Sequence, residues 1–395
     1  MSPDTTTSPT TALLGIYKKP DILFVSGEGA WLVAEDGRRY LDFTSGIGVN
    51  ALGHGAPEVL GAIREGLESG LVHTSNLFRT EPGERLAEEL VAATFPSQVF
   101  FCNSGAESGE AAFKLARRWA GTIGGKAKHR IVAFRGSFHG RLFGTLAATD
   151  RPAYREPFEP LMPGVDFAEV GNLAGLKKLV THDRTAAVII EPIQGEGGIR
   201  VVPVEFLREL RALCDEREVA LIFDEIQCGL GRSGRLFAHE YAGIRPDLLM
   251  IAKPLAGGLP MGALLAAPHV AAAIAAGEHG TTFGGGPLVA HVARVVLRTI
   301  TAPGFLAGVL KRADRLDRSL REMASRSAVV KELRGVGLIR GVQVDGDAQA
   351  IVMKARDLGL LLVAAGPDVI RLLPPLNTPD ELLVTGVERL EEALS

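Results

Sequence analysis

Between about residue 57 and residue 285, short apolar runs alternate with amphipathic segments whose apolar positions recur at helical spacing. The amphipathic segments predict helices at 57–69, 82–94, 108–119 and 203–218. The apolar runs predict strands at 99–101, 130–134, 186–190, 220–223 and 248–252. Such alternation is typical of an α/β fold in which helices cover a mostly parallel sheet.

The two ends of the chain have a different pattern. Residues 31–33 and 39–43 predict a hairpin with Asp36-Gly37 at its turn. After Pro287, long helices at about 288–301 and 304–325 are followed by short strands and a final helix after Pro379. We therefore predict four parts, namely a disordered tail at 1–12, an N-terminal segment at 13–56 that packs with the small domain, a large domain at 57–287 and a small α+β domain at 288–395.

Composition excludes several classes of protein. The net charge is −3 and no basic tract is present, so neither nucleic acid nor an anionic membrane is expected as a partner. The first dozen residues lack the basic start and apolar core of a signal peptide. The three cysteines form no CxxC pair and the histidines are scattered, so we expect no disulfide framework and no metal site. Free thiols fit a reducing, cytoplasmic location.

A lysine and an aspartate stand at the ends of two predicted strands. Lys253 follows the apolar run 248–252, and Asp224 follows 220–223. In open α/β sheets, ligands bind at the carboxyl edge of the strands. This pair suits pyridoxal phosphate, because the lysine can form a Schiff base and the aspartate can keep the pyridine nitrogen protonated. The alternative is two solvated charges at strand ends, which is commoner for a pair taken alone.

Two further loops follow strands at the same predicted edge. Ser104-Gly105-Ala106-Glu107 precedes a helix, and backbone N–H groups at a helix N-terminus bind anions such as phosphate. In the loop 136–141, Phe138 offers an aromatic face for a flat ring and Arg141 can bind a carboxylate with two hydrogen bonds. An ordinary capped helix and a solvated surface arginine are the alternatives.

Three more motifs supply polar groups. Glu196 lies in a glycine-rich turn at 191–198, where a glutamate could pair with Arg141. Gln227 follows Asp224 by three residues and could hydrogen-bond the ring oxygen of the cofactor. The segment 279–285 offers hydroxyl groups and backbone donors for a phosphate, or serves as a flexible hinge.

Together, these motifs resemble the class III (ω-amino group) aminotransferases, which are fold-type I pyridoxal phosphate enzymes. The resemblance extends from about Tyr17 to the C-terminus. It rests on an ordered set of segments: SGAE at 104–107, SFHGR at 137–141, EPIQGEGG at 191–198, DEIQCGLGRSG at 224–234, AKPLAGGLPMGA at 252–263 and HGTTFGGGP at 279–287. Segments 27–43, 50–59 and 73–90 are most similar to acetylornithine aminotransferases. Gly286 and Pro254 depart from the residues that the family commonly has.

The resemblance implies a seven-stranded, mostly parallel sheet in the large, cofactor-binding domain, and it implies roles at the matching positions. Lys253 and Asp224 are the expected catalytic residues. The expected cofactor contacts come from the phosphate-binding Gly105 and Ala106, the ring-stacking Phe138, the ring-binding Asp224 and Gln227, the covalently attached Lys253, and Thr282, which reaches the phosphate in the neighbouring subunit. Arg141 with Thr281 nearby is expected to bind the donor carboxylate, and Glu196 is expected to be the partner of Arg141 when 2-oxoglutarate replaces the donor. The shared site implies a homodimer.

The implied reaction is the transfer of the δ-amino group of N-acetylornithine to 2-oxoglutarate in arginine biosynthesis. The alternatives within the same class are succinylornithine, ornithine, 4-aminobutyrate or a carrier-bound lysine precursor as donor. An aminomutase of the same fold and a non-enzymatic pyridoxal phosphate-binding protein also remain open. A nicotinamide oxidoreductase is disfavoured, because the glycines at 335–341 lack the spacing of a dinucleotide-binding fingerprint.

Overall fold

The computed structural model describes residues 12–395. The predicted disordered tail at 1–12 therefore lies, apart from Ala12, outside the described residues. The strands are β1 (Phe24–Glu28), β2 (Trp31–Ala34), β3 (Arg39–Asp42), β4 (Gln98–Cys102), β5 (Arg130–Phe134), β6 (Val165–Ala168), β7 (Thr185–Ile190), β8 (Ile193–Gln194), β9 (Arg200–Val201), β10 (Ala220–Asp224), β11 (Leu248–Ile251), β12 (Gly262–Ala266), β13 (Val330–Val336), β14 (Ile339–Val344), β15 (Leu360–Leu361), β16 (Val363–Ala364) and β17 (Val369–Leu372).

Helices separate most of the strands of the large sheet. The α-helices are α1 (Ser45–Gly48), α2 (Pro57–Glu68), α3 (Glu81–Ala93), α4 (Gly105–Gly124), α5 (Phe143–Ala147), α6 (Pro152–Arg155), α7 (Leu173–Leu179), α8 (Val204–Arg217), α9 (Pro268–Ala271), α10 (Pro287–Thr301), α11 (Phe305–Arg326), α12 (Ala348–Asp357) and α13 (Asp380–Leu394). Short 3₁₀ helices cover Glu156–Phe158, Ala238–Tyr241 and Lys253–Ala256.

A seven-stranded sheet forms the centre of the molecule, in the order β4-β12-β11-β10-β7-β5-β6. The pairs of β10 with β11 and β7, and of β5 with β7 and β6, are parallel, whereas β12 runs antiparallel to both of its neighbours. The expected mostly parallel sheet is confirmed. β6 and β12 were not among the predicted strands.

The order of the strands brings the predicted site residues to one edge. β7, β10 and β11 are buried along their whole length, as in sheets covered on both faces. Because they run parallel, their carboxyl ends lie side by side. Asp224 ends β10, Glu191 directly follows β7, and Lys253 follows β11 after one residue.

Two four-stranded sheets and the two-stranded sheet β8-β9 lie outside the large sheet, and one of the four-stranded sheets connects the two ends of the chain. β15 pairs in parallel with β3, so the N-terminal hairpin and a C-terminal strand share the sheet β1-β2-β3-β15. The second sheet has the order β13-β14-β17-β16. Phe43, which is fully buried, lies in one apolar cluster with Leu316 and Leu390 of the C-terminal helices. The N-terminal segment therefore packs against the C-terminal part of the chain.

The helix α10 packs differently from the rest of the C-terminal part. Its buried residues, including Val292 and Val296, belong to the apolar core of the large sheet, and the helix contacts α2 and α3. The predicted boundary at 287/288 assigns this helix to the small domain; the boundaries themselves stay a prediction. Within residues 12–395 no single helix is long and apolar enough to cross a membrane, and only α10 and α11 together, bent by 67° at their junction, meet that length and composition.

The contact between Phe43 and α13 predicts a measurable change in stability. A Cβ atom at Gly386 of α13 would lie 2.3 Å from Cε2 and 2.4 Å from Cζ of Phe43. We expect Gly386→Ala to lower the free energy of unfolding by about 1–3 kcal/mol, because a buried ring must move. Gly121→Ala is the matched control, since Gly121 of α4 has open space around it and should gain up to about 1 kcal/mol from helix propensity. Denaturant unfolding of both variants tests this, and equal behaviour of the two would contradict it.

Candidate active site

A cavity of about 410 Å³ opens at the carboxyl edge of the large sheet. It is lined by residues from the loops that follow β4, β5, β7, β10 and β11. Most of the residues predicted from the sequence meet in it. They are Gly105, Ala106, Phe138, Arg141, Glu196, Asp224, Gln227 and Lys253.

The carboxylate of Asp224 is held from two sides. Its Oδ2 lies 2.8 Å from Nδ1 of His139, and its Oδ1 accepts a hydrogen bond of 3.1 Å from the backbone N–H of Ile226. His139 is itself buried, and its backbone N–H donates to the hydroxyl of Thr149. The sequence analysis assigned no role to His139, whose side chain orients the carboxylate of Asp224 at the base of the cavity.

Lys253 begins a 3₁₀ helix directly beyond β11. Removal from water lowers the pKa of its amine, while the negative charges of Asp224 and Glu196 act in the opposite direction. A lowered pKa makes the neutral, nucleophilic amine easier to reach. Pro254 fits the second position of the 3₁₀ turn, where a missing backbone N–H leaves no hydrogen bond unmade.

The N-terminus of α4 faces the cavity with a complete cap. The hydroxyl of Ser104 accepts from the backbone N–H of Glu107, and the carboxylate of Glu107 accepts from the backbone N–H of Ser104. The N–H groups of Gly105 and Ala106 stand in the first turn, where a helix offers no partner of its own. A Cβ atom at Gly105 would lie 2.6 Å from Cδ1 of Ile226, so the close approach needs glycine. This arrangement suits a phosphate.

Glu191 ties two loops of the cavity together. Its carboxylate accepts 2.9 Å and 3.0 Å hydrogen bonds from the backbone N–H groups of Phe138 and Gly195. Burial raises the pKa of this carboxyl to about 7, and the negative charge of Asp224 adds to the rise, whereas His139 opposes it. The loop that carries Phe138 is thereby fixed to the turn that carries Glu196.

The ionic partner of Glu196 is Arg371, a residue that the sequence analysis did not select. Nη1 of Arg371, on β17, lies 2.5 Å from Oε1 of Glu196 and 3.1 Å from Oε1 of Gln227. The structure thus differs from the expected pairing of Glu196 with Arg141. Arg371 is almost completely buried, and a lone arginine inside the apolar strand 369–372 was a usable signal, because such a charge needs a partner.

Arg141 lines the cavity without a carboxylate partner among residues 12–395. Its guanidinium carbon lies 3.4 Å from the ring centroid of Tyr154 and 5.7 Å from that of Phe138. The guanidinium is therefore held by aromatic faces. Its N–H groups stay available for an anion.

Thr281 and Thr282 line a separate cavity next to the first. The hydroxyl of Thr281 accepts a 3.2 Å hydrogen bond from Nδ2 of Asn103, which itself lines the main cavity. The expected contact of Thr282 with a neighbouring subunit stays a prediction. Within the described chain, no group of three or more His, Cys, Asp and Glu residues could hold a metal ion.

The chemistry of the donor set fits pyridoxal phosphate. Lys253 supplies an amine for its carbonyl, Asp224 a carboxylate for its ring nitrogen, and Phe138 an aromatic face for its ring. The first turn of α4 supplies donors for its phosphate. These groups come from four different loops and line one cavity.

Comparison with known proteins finds relatives that match nearly the whole length of the chain. The family model "Aminotransferase class-III" matches residues 16–394. "Acetylornithine aminotransferase, mitochondrial" of Alnus glutinosa is 45% identical over 386 residues, covering 97% of this chain and 85% of the relative. "Acetylornithine aminotransferase" of Xanthomonas campestris pv. campestris is 44% identical over 389 residues, covering 97% and 95%.

Solved structures agree with this. The N-acetylornithine aminotransferase of Stenotrophomonas maltophilia K279a superposes with a TM-score of 0.84 at 38% identity, covering 95% of this chain and 96% of the other. The ornithine aminotransferase of Toxoplasma gondii ME49 gives a TM-score of 0.92 at 29% identity, covering 97% and 92%. The fold-type I architecture, the pyridoxal phosphate cofactor and the transaminase activity expected from the sequence are confirmed. The chain belongs to the class III aminotransferases.

Proposed function

We propose that this enzyme transfers the δ-amino group of N-acetylornithine to 2-oxoglutarate, giving N-acetylglutamate semialdehyde and glutamate, in arginine biosynthesis. The relatives with 44–45% identity support the choice of donor. One observation carries the proposal. Two guanidinium groups lie at this site in different states. Arg141 lines the cavity and has no carboxylate partner among residues 12–395, whereas Arg371 lies buried behind Glu196 and Gln227, which line the cavity, and is neutralised by Glu196.

That difference matches the two substrates. The reacting carbon of N-acetylornithine bears no carboxylate, so the donor needs only a distant cation for its α-carboxylate, and Arg141 can supply it. The reacting carbon of 2-oxoglutarate does bear a carboxylate. A second cation is then needed close to Lys253, and Arg371 becomes available when Glu196 moves away. Glu196 thereby lets one cavity accept a monocarboxylate and a dicarboxylate in turn.

The residues at the base of the cavity have separate tasks. When bound, pyridoxal phosphate supplies a carbonyl that reacts with amines and a ring that accepts electrons. Lys253, as a neutral amine, takes the proton from the δ-carbon of the donor. It then delivers this proton to the cofactor carbon that is bonded to the transferred nitrogen. Asp224, oriented by His139, keeps the ring nitrogen protonated. Gln227 is the amide available to the ring oxygen.

We also propose that the enzyme works as a homodimer in which Thr282 binds the cofactor phosphate in the active site of the partner subunit. The support is the surface around the Thr281-Thr282 cavity. Several apolar side chains of this surface are exposed, among them Leu77, Phe78 and Phe283. Large apolar side chains that stay exposed near one another are typical of an interface.

The proposal is tested by absorbance spectra during single half-reactions without a keto acid. N-Acetylornithine, ornithine, 4-aminobutyrate and lysine are offered separately to the cofactor-loaded enzyme. We expect N-acetylornithine to remove the long-wavelength cofactor band fastest and 2-oxoglutarate to restore it. Faster loss of this band with another amine would identify that amine as the donor instead of N-acetylornithine. A protein that takes up no pyridoxal phosphate would contradict the whole proposal.

Replacement of Lys253 tests the proton transfer. We expect Lys253→Ala to lower the rate of glutamate formation at least ~10³-fold, because both the nucleophile and the general base are lost. Lys177→Ala, which changes an exposed lysine of α7, is the control and should keep the wild-type rate. A Lys253→Ala variant that still turns over would defeat the proposed mechanism.

Replacement of Arg371 and replacement of Arg141 should affect the two half-reactions differently. We expect Arg371→Ala to raise the KM for 2-oxoglutarate by about 10- to 100-fold, since a charge-assisted pair is lost, with little change in the half-reaction with N-acetylornithine. Arg141→Ala should weaken the binding of both substrates, because each carries a carboxylate remote from the reacting carbon. Single-turnover kinetics measure this, and equal losses in both half-reactions for Arg371→Ala would contradict the assignment.

A further inference from the structure

We propose that Tyr154 is a positioning residue, which holds the guanidinium of Arg141 ready for the carboxylate of the amino donor. The inference rests on the proposed function, because it assigns carboxylate recognition to Arg141. It adds a residue outside the loops that carry the cofactor and substrate groups. Tyr154 lies in α6 and does not line the cavity itself.

The first observation is the geometry of the contact. The distance of 3.4 Å between Cζ of Arg141 and the ring centroid of Tyr154 places the guanidinium directly against the face of the ring. Stacking on a ring face occupies the flat side of a guanidinium and leaves the N–H groups in its plane free. Those N–H groups are the ones that bind a carboxylate with two parallel hydrogen bonds.

The second observation is that nothing else in the described chain fixes this guanidinium by charge. Arg141 is exposed and has no carboxylate partner or hydrogen bond among residues 12–395. The other ring near it, Phe138, is more distant at 5.7 Å. A long, exposed side chain of this kind samples many rotamers unless packing restricts it. Tyr154 is the closest restriction that the structure provides.

The third observation is how Tyr154 is itself held. The backbone N–H of Tyr154 donates to the carbonyl of Arg151 at 2.9 Å. Asp150 accepts a 2.8 Å hydrogen bond from the backbone N–H of Gly136, at the start of the loop that carries Arg141. The guanidinium of Arg151 donates to the backbone carbonyl of Glu196. The segment 150–155 therefore braces both loops that carry substrate-binding side chains.

Removal of the Tyr154 ring should weaken binding of the donor carboxylate and leave the rate of the chemical step unchanged. Without the ring, Arg141 keeps its charge and its N–H groups, but it must be ordered at the moment of binding. The loss should appear in KM for donors with a carboxylate. Donors without a carboxylate have no contact to lose.

The experiment compares two donors in Tyr154→Leu and Tyr154→Phe. The donors are N-acetylornithine and N-acetyl-1,4-diaminobutane, which is the same molecule without its carboxylate. We expect Tyr154→Leu to raise the KM for N-acetylornithine about three- to tenfold, with kcat within about twofold and with unchanged kinetics for N-acetyl-1,4-diaminobutane. Tyr154→Phe keeps the ring and should behave like the wild type.

Other outcomes would overturn the inference. Equal losses for both donors in Tyr154→Leu would show that the ring acts through Phe138, whose ring lies 6.5 Å away edge to face, and not through Arg141. Wild-type kinetics for Tyr154→Leu would show that the ring has no role. A wild-type enzyme that does not prefer N-acetylornithine over N-acetyl-1,4-diaminobutane would instead contradict the proposed function. Cofactor absorbance and circular dichroism confirm that both variants are folded and loaded.

Discussion

The pairing of Arg371 with Glu196 is the interaction that joins the two parts of the chain at the cavity. It joins a strand of the C-terminal sheet to a turn at the carboxyl edge of the large sheet. Arg371 is almost fully buried, and a buried guanidinium without a partner costs several kcal/mol. Glu196 and Gln227 meet that need from the large sheet. The smaller sheet therefore carries a charge that is stable only where the two parts of the chain meet, at the cavity.

Negative charge is balanced in the same region by different means. Asp224 has a histidine and a backbone N–H, whereas Glu191 has two backbone N–H groups and a pKa raised to about 7. Burial lowers the pKa of the Lys253 amine, whereas the negative charges of Asp224 and Glu196 act in the opposite direction, so the surrounding groups set its charge. The cavity is thus prepared for proton transfer by burial and by the spacing of a few ionisable groups.

The sequence predicted the reaction better than it predicted the substrate contacts, and the reason is physical. Lys253 and Asp224 stand at the ends of apolar runs, and parallel strands place such residues together without any knowledge of loop paths. Glu196 was expected beside Arg141, because both lie in loops at the same edge. Its actual partner, Arg371, is 175 residues away in the chain and comes from another sheet. Neither the turn around Glu196 nor the strand around Arg371 contains a local pattern that predicts their pairing. The only signal was an arginine within the apolar segment 369–372, which requires a partner.

The five strands predicted for the large sheet are all present, but β12 was missed for a related reason. β12 lies in a stretch rich in alanine and glycine, which has little intrinsic preference for a strand. It becomes a strand because β11 and β4 hold it from both sides in the antiparallel direction. Tertiary pairing decides its structure, as tertiary pairing decides the partner of Glu196.

Reaction type and substrate choice are therefore encoded at different levels of this chain. The reaction depends on residues that the strands deliver to a fixed edge, where displacement of the backbone would disrupt the core. Under the proposed function, substrate choice depends on two guanidinium groups that differ in what neutralises or orients them, a carboxylate for Arg371 and aromatic faces for Arg141. Changes in those neighbours alter the recognition of carboxylates and leave Lys253 and Asp224 in place. One fold can carry different substrate preferences, as the ornithine and N-acetylornithine aminotransferases that superpose on this chain illustrate.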